Sequence, residues 1–267
     1  MPRIQAHYRH DHNHAPYFVS HADVARVAAQ VRAQLLPDGG DENLSLERLA
    51  TIDSLDVNGV DYALWLDLEH PVHDDEQNPV FGVFEYMPTS AIDAVSVSVS
   101  PQSEELSDEV RLSTLAHELG HAIFDGAALV VHHQSRPRHK LLDAAPVRAF
   151  RMVTENQEQL TRADDDVPEW VKFAELRANE FMGSLLVPRD LLWAAIVELQ
   201  PKYGYEIEAS DTECAWAGEQ LSQCQRIRFN PFDFNIDAPT LAEVLAPRFG
   251  VTPIFVHVRM RRYGMVD

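Results

Sequence analysis

Apolar positions recur along this chain with two different periods, and the switches between them lay out its elements. After Ser20, Val24, Val27, Ala28, Val31 and Leu35 repeat at helical spacing, and Pro37 with Gly39-Gly40 closes that helix. A second short helix is predicted from Asn43 or Ser45 to about Ser54. The period then shortens to two. Gly59 to Leu68 and Val80 to Met87 are rich in β-branched and aromatic residues, and Ala94 to Ser100 alternates valine with serine, so three strands are predicted. In the last, Val95, Val97 and Val99 share one face and Ser96, Ser98 and Ser100 the other. That pattern predicts an edge strand with one face on the core, whose open edge could accept an extended peptide as an added strand.

Helical spacing returns at Ser107, a cap residue followed by the acids Asp108 and Glu109, and Gly126 offers a stop. Leu112, Leu115, Leu119 and Ile123 form one stripe, while His117 and His121 project from roughly the opposite side with Val110, Thr114 and Phe124. The helix should be buried on one face and line a cleft with the other. Asp125 to Pro168 is polar and reads as loop or insertion over that cleft, with a strand-like stretch at Val147 to Val153. Pro168 to Leu186 is predicted helical, with Ala174, Ala178, Phe181 and Leu185 at core spacing, and Pro188 opens a further helix through about Leu199.

Little can be read from Tyr205 to Phe234. Beyond it, Pro239 to Arg248 is predicted helical, Gly250 turns the chain, and Thr252 caps a last helix that runs to about Arg262. The first seventeen residues, with His7, His10, His12 and His14 beside Tyr8 and Asp11, are predicted to be a mobile tail.

The chemistry concentrates in His117-Glu118-Leu119-Gly120-His121. Histidines four apart on a helix lie one turn above each other, so both imidazoles can reach one Zn²⁺ while the Glu between them handles a water proton. A catalytic zinc takes three protein ligands and keeps one position open, so a third ligand must come from elsewhere. Glu175 is the leading candidate. It shares a helix face with Asn179, and the small Ala174 and Ala178 would let that helix approach the first one. Glu175 can then ligate while Asn179 orients an imidazole. Glu180 and Glu169 compete with it on spacing.

Composition limits the partners. The 267 residues suffice for one large domain or a domain with an appendage, and 22 Lys+Arg against 42 Asp+Glu give a net charge of −20. Such a field repels a phosphate backbone. Arg248, Arg259, Arg261 and Arg262 are a local exception that keeps a nucleic-acid-binding role open for the terminal helices, although a packed subdomain with its arginines in solvent is the favoured reading. Cys214 and Cys224 are expected as free thiols, and the start of the chain lacks the basic and apolar blocks of a signal peptide, so a cytoplasmic location is expected. No apolar run approaches the roughly eighteen residues of a membrane span.

Thr114-Leu-Ala-His-Glu-Leu-Gly-His121, followed by Glu175-x-x-Ala178-Asn179-x-Phe181-x-x-x-Leu185-Leu186-x-Pro188, resembles the ImmA/IrrE family of zinc metallopeptidases, a branch of the gluzincins. The likeness covers roughly Ala22 to Leu199. The closing Leu241 to Thr252 segment resembles the helix-turn-helix-like end of many members. The resemblance implies an α+β fold in which residues 20–200 form a zincin-like core and 201–267 a C-terminal extension with a helix-turn-helix-like end; the His-rich flexible tail, 1–19, and the long segment between the motifs lie outside the likeness. It implies His117, His121 and Glu175 as zinc ligands, Glu118 as general base and Asn179 as a partner of a ligating histidine. It also implies limited proteolysis of a protein partner, often a helix-turn-helix repressor, in a stress, phage or mobile-element response. The chain departs from the family at Arg177, where members often carry Glu, and at Met182-Gly183, which replaces an Ala-rich step.

Overall fold

The computed structural model describes residues 2–17, 19–37, 43–88, 93–104, 106–135, 148–151, 168–210, 224–229 and 236–266. The first half runs β1 (Arg3–Ala6), α1 (His21–Leu35), α2 (Leu46–Leu49), β2 (Ser54–Val57), β3 (Val60–Asp67), β4 (Val72–His73), β5 (Pro79–Val80), β6 (Gly82–Pro88) and β7 (Asp93–Val99). The second runs α3 (Asp108–Phe124), α4 (Gly126–Gln134), β8 (Arg148–Arg151), α5 (Glu169–Leu186), α6 (Arg189–Tyr203), β9 (Glu206–Ser210), β10 (Cys224–Arg228), α7 (Ala238–Phe249) and α8 (Pro253–Arg262). Together they make an α+β fold on one small mixed sheet of order β1-β2-β3-β7-β6-β8.

The N-terminal residues are not a tail. β1 pairs in parallel with β2, and Ile4 and Ala6 are fully buried. Its outer edge is closed by α1, whose Gln34 and Gln30 side-chain carbonyls accept from the Gln5 and His7 amides at 2.8 and 3.0 Å. The Tyr8 hydroxyl reaches the Ile123 and Phe124 carbonyls at the end of α3. A strand of four residues is too short for its alternation to stand out beside a run of histidines.

The second helix is also shorter than its sequence suggests. α2 ends at Leu49, and β2 and β3 form a hairpin across Asn58-Gly59. Both turn residues are left-handed, with φ of 56° and 83°. That is the two-residue turn whose twist matches paired strands, so it demands a strand on either side.

β7 is not an edge strand. It lies between β3, parallel to it, and β6, antiparallel. Val95, Val97 and Val99 are fully buried and Ser98 half-buried, so the alternation reported a sheet with one open face and said nothing of position within it. The strand-like stretch at Val147 to Val153 contains β8, which pairs antiparallel with β6 and takes the edge instead.

One hydrophobic core gathers α1, α3, α5 and α6 against the sheet, and it includes Leu241, Leu245, Phe255, Val256, Met260 and Val266 from the chain's end. The described part of 201–267 is therefore built into the same core rather than appended to it. The Ile227 amide donates to Met265 at 2.8 Å, and the Tyr263 hydroxyl donates to the Val187 carbonyl, where α5 ends, at 2.9 Å. α7 and α8 meet at 109°, within the range of a helix-turn-helix pair, with Gly250 left-handed at their junction and Thr252 capping α8. No single helix among the described residues is long and apolar enough to cross a membrane.

Candidate metal centre

α3 carries the pentad into the interior. Every residue from Leu112 to Phe124 is buried, including His117, Glu118 and His121. The face expected to line a cleft is covered by α5 and β6. Gly120 makes the first of these contacts possible, because a Cβ there would stand 3.0 Å from the Ala178 Cα and 3.3 Å from its carbonyl oxygen. Gly82 makes the second, since a Cβ on β6 would meet Thr114 Cγ2 at 2.6 Å and Glu118 Oε1 at 3.2 Å. Small residues on both neighbours let two backbones close over the ligand helix.

The close approach of α5 sets Glu175 against both histidines. Its Oε2 lies 3.3 Å from His117 Nε2 and its Oε1 lies 3.2 Å from His121 Nε2. Ligand atoms about 2.0–2.1 Å from a tetrahedral centre are about 3.3 Å apart, so each imidazole stands from one Glu175 oxygen at the separation that two ligands of a small divalent ion take. Among the described residues this is the only group of three or more His, Cys, Asp or Glu side chains that could share an ion, with its ligand atoms all within 4.8 Å. The trio could hold a metal ion, and its donor set of two imidazoles and a carboxylate suits zinc.

Each histidine is oriented from behind. His117 Nδ1 faces Asn179 Oδ1 at 3.1 Å, and His121 Nδ1 faces Asp125 Oδ2 at 2.9 Å. Both partners are acceptors, so each Nδ1 carries a proton and each Nε2 is the nitrogen turned toward Glu175 and available to a metal once deprotonated. Asp125 is itself held, its Oδ1 taking a hydrogen bond from the Arg177 guanidinium at 2.9 Å. Arg177 is thus the clamp on a carboxylate that sequence pattern alone does not single out. The available signal was its place four residues after His121, the next turn of the same face.

Electrostatics follow from burial and these partners. Burial alone would push the His121 imidazole down, but Asp125 and Glu175 outweigh it and raise it to about 10 in the metal-free protein. Burial alone would raise the Glu175 carboxyl, and the two imidazoles hold it well below the usual carboxylate range. In the metal-free protein the Glu175 carboxylate thus faces a charged His121 imidazole at 3.2 Å, an ion pair that an incoming cation displaces.

The remaining candidates lie elsewhere. Glu180 is buried against Arg259, Arg262 and Ser184, and Glu169 is exposed at the start of α5. Cys214 falls outside the described residues. His10 and His14 stack on each other at 4.6 Å. The arginine cluster is dispersed: Arg259 and Arg262 point to Glu180, and Arg248 pairs with Glu198 at 2.7 Å. Comparison of the chain with protein families, curated proteins and solved structures finds no match.

Proposed function

We propose that this protein is a zinc-dependent endopeptidase with a zincin-like core. The observation that carries the reading is Glu118, fully buried on α3 between two histidines whose Nε2 atoms stand 3.3 and 3.2 Å from the Glu175 carboxylate, with all three ligand atoms within 4.8 Å of one another. The two motifs that resemble the ImmA/IrrE family contain all four residues. Bound zinc would lower the pKa of a water toward about 7 and polarise a peptide carbonyl. His117, His121 and Glu175 would hold it, with Asn179 and Asp125 fixing the imidazoles. Glu118 would accept a proton from the attacking water on its carboxylate and return it to the leaving amine.

By the same resemblance, the substrate is a protein partner cut once, a helix-turn-helix repressor being the leading class. Direct nucleic-acid binding has less support, because Arg259, the centre of the terminal basic cluster, is only 3% exposed and spends its charge on Glu180. The test is to incubate zinc-loaded protein with the product of the neighbouring reading frame beside the Glu118→Gln form. Glu118→Gln should retain zinc and lose the cut. Equal cleavage by both forms would refute the assignment of the base, and zinc binding with no cleavage of any candidate would favour a zinc-stabilised interaction protein.

A further inference from the structure

β8 lies against the strand that runs beside Glu118. On β6, Gly82 abuts Glu118 and Phe84 stacks toward His121, with ring centroids 6.1 Å apart. β6 therefore tracks α3 along the flank that carries the proton-handling carboxylate and one metal-ligating imidazole. Across the ladder, Arg151 pairs with Gly82, Phe150 with Val83, Ala149 with Phe84 and Arg148 with Glu85, all antiparallel. Neighbouring strands lie about 4.8 Å apart, so the β8 backbone passes within about 10 Å of the Glu118 carboxylate.

An extended peptide joining the sheet at β6 would use the same amides and carbonyls that β8 now uses. We propose that the outer edge of β6 is a docking strand for an extended peptide, and that residues 148–151 are its internal occupant, which an incoming peptide must displace. This rests on the peptidase reading for its purpose, since the occupied edge is the one that passes the proton-handling carboxylate. The occupant is suited to exchange. It is four residues long, and among the described residues it lies at the sheet's edge with its only ladder to β6. A tethered strand presents itself at an effective concentration on the order of millimolar, which excludes weak peptides and yields to strong ones.

The test reads binding without cleavage, in the zinc-loaded Glu118→Gln protein. The probe is a fluorescent synthetic peptide with the sequence of residues 146–153. Two adjacent substitutions, Ala149→Pro and Phe150→Pro, remove a ladder donor whichever of the two amides faces β6. The probe should bind this variant at least about tenfold more tightly than its parent, because the edge is already vacated. Equal affinity for both proteins, or binding to neither, would overturn the proposal.

Should the double-proline form fail to fold, hydrogen exchange in the Glu118→Gln parent decides. Saturating probe should speed exchange at residues 149–151 and leave β6 protected, and unchanged exchange at 149–151 would overturn the proposal. Hydrolysis of the same probe by protein that retains Glu118 tests the peptidase reading separately. Strand exchange without hydrolysis would therefore sink that reading alone.

Discussion

Replacing Asp125 with Ala should weaken zinc binding by about 10- to 100-fold, the usual cost of losing a hydrogen-bonded carboxylate behind a ligating histidine. That range corresponds to about 1.4–2.7 kcal/mol. The upper half is favoured by the geometry: the Oδ2 contact to His121 is 2.9 Å, and Arg177 immobilises the other oxygen. Two effects oppose each other. The carboxylate that makes His121 a better ligand also makes it a better base, up to about 10 in the metal-free protein. Zinc must displace that proton at neutral pH, and the substitution eases the competition.

The measured loss should therefore grow as pH rises from about 6 toward 9, because competition from the His121 proton weakens over that range and ends only above about 10. Competition with a chromophoric chelator across this range reads the affinity. The metal-free melting temperature checks that the fold is intact. Arg177→Ala should cost less than Asp125→Ala, and the double substitution should add little to Asp125→Ala, since Arg177 acts through the carboxylate. A loss that stays constant or shrinks with rising pH would refute the coupling.

Gly120→Val should destabilise the fold by about 1–3 kcal/mol, because its branched side chain must part α3 from Ala178 on α5; urea denaturation measures this, and an unchanged midpoint would contradict the close approach. Zinc binding near pH 7.5 should release at least about one proton, since His121 is protonated there in the metal-free state, so calorimetric enthalpies should vary with the buffer's ionisation enthalpy. Burial raises the Glu180 carboxyl, but Arg259 and hydrogen bonds from His21, Arg259 and Ser184 leave it below its ordinary value, so this group stabilises the fold above its unfolded pKa of about 4.3 and loses that contribution as pH falls through the folded one. Arg259→Met alone should cost about 3–5 kcal/mol by stranding a buried carboxylate, whereas adding Glu180→Gln should recover much of the loss and flatten the acid limb of thermal melts.

The sequence makes some layers of this molecule legible and hides others for physical reasons. Helices announce themselves where a cap and a stripe agree: Ser20 with Val24 to Leu35, Pro168 with Ala174 to Leu185, Thr252 with Pro253. The pentad and Glu175 can be read because ligation needs particular residue types at helical spacing, and Asn179 follows from the same face. Asp125 is harder to see, since one carboxylate among 42 acids carries no signal until its distance to His121 is known. Strand order is harder still. The alternation of Val95 to Val99 describes faces, and only pairing reveals that β7 is interior and that β8, far along the chain, supplies the edge. Nor does any local pattern predict that Arg259, on a terminal helix, turns inward to Glu180.

That inward turn accounts for a glycine within α5. Gly183 sits on α5 where a Cβ would collide with the Arg259 guanidinium, so an alanine at this step and an arginine at 259 exclude each other without a shift of backbone or guanidinium. Arg259 in turn exists for Glu180, which would otherwise be a fully buried carboxylate one helical turn beyond Glu175. α5 is thus gripped at two places along one rigid rod: against Gly120 of α3 through Ala178, and against α8 through Glu180. A helix pinned at both points presents Glu175 with little freedom, and metal geometry tolerates little. The C-terminal residues, remote in sequence from every ligand, therefore belong to the support of the candidate metal centre, and two of the arginines that look available for a phosphate backbone, Arg259 and Arg262, are committed to that task.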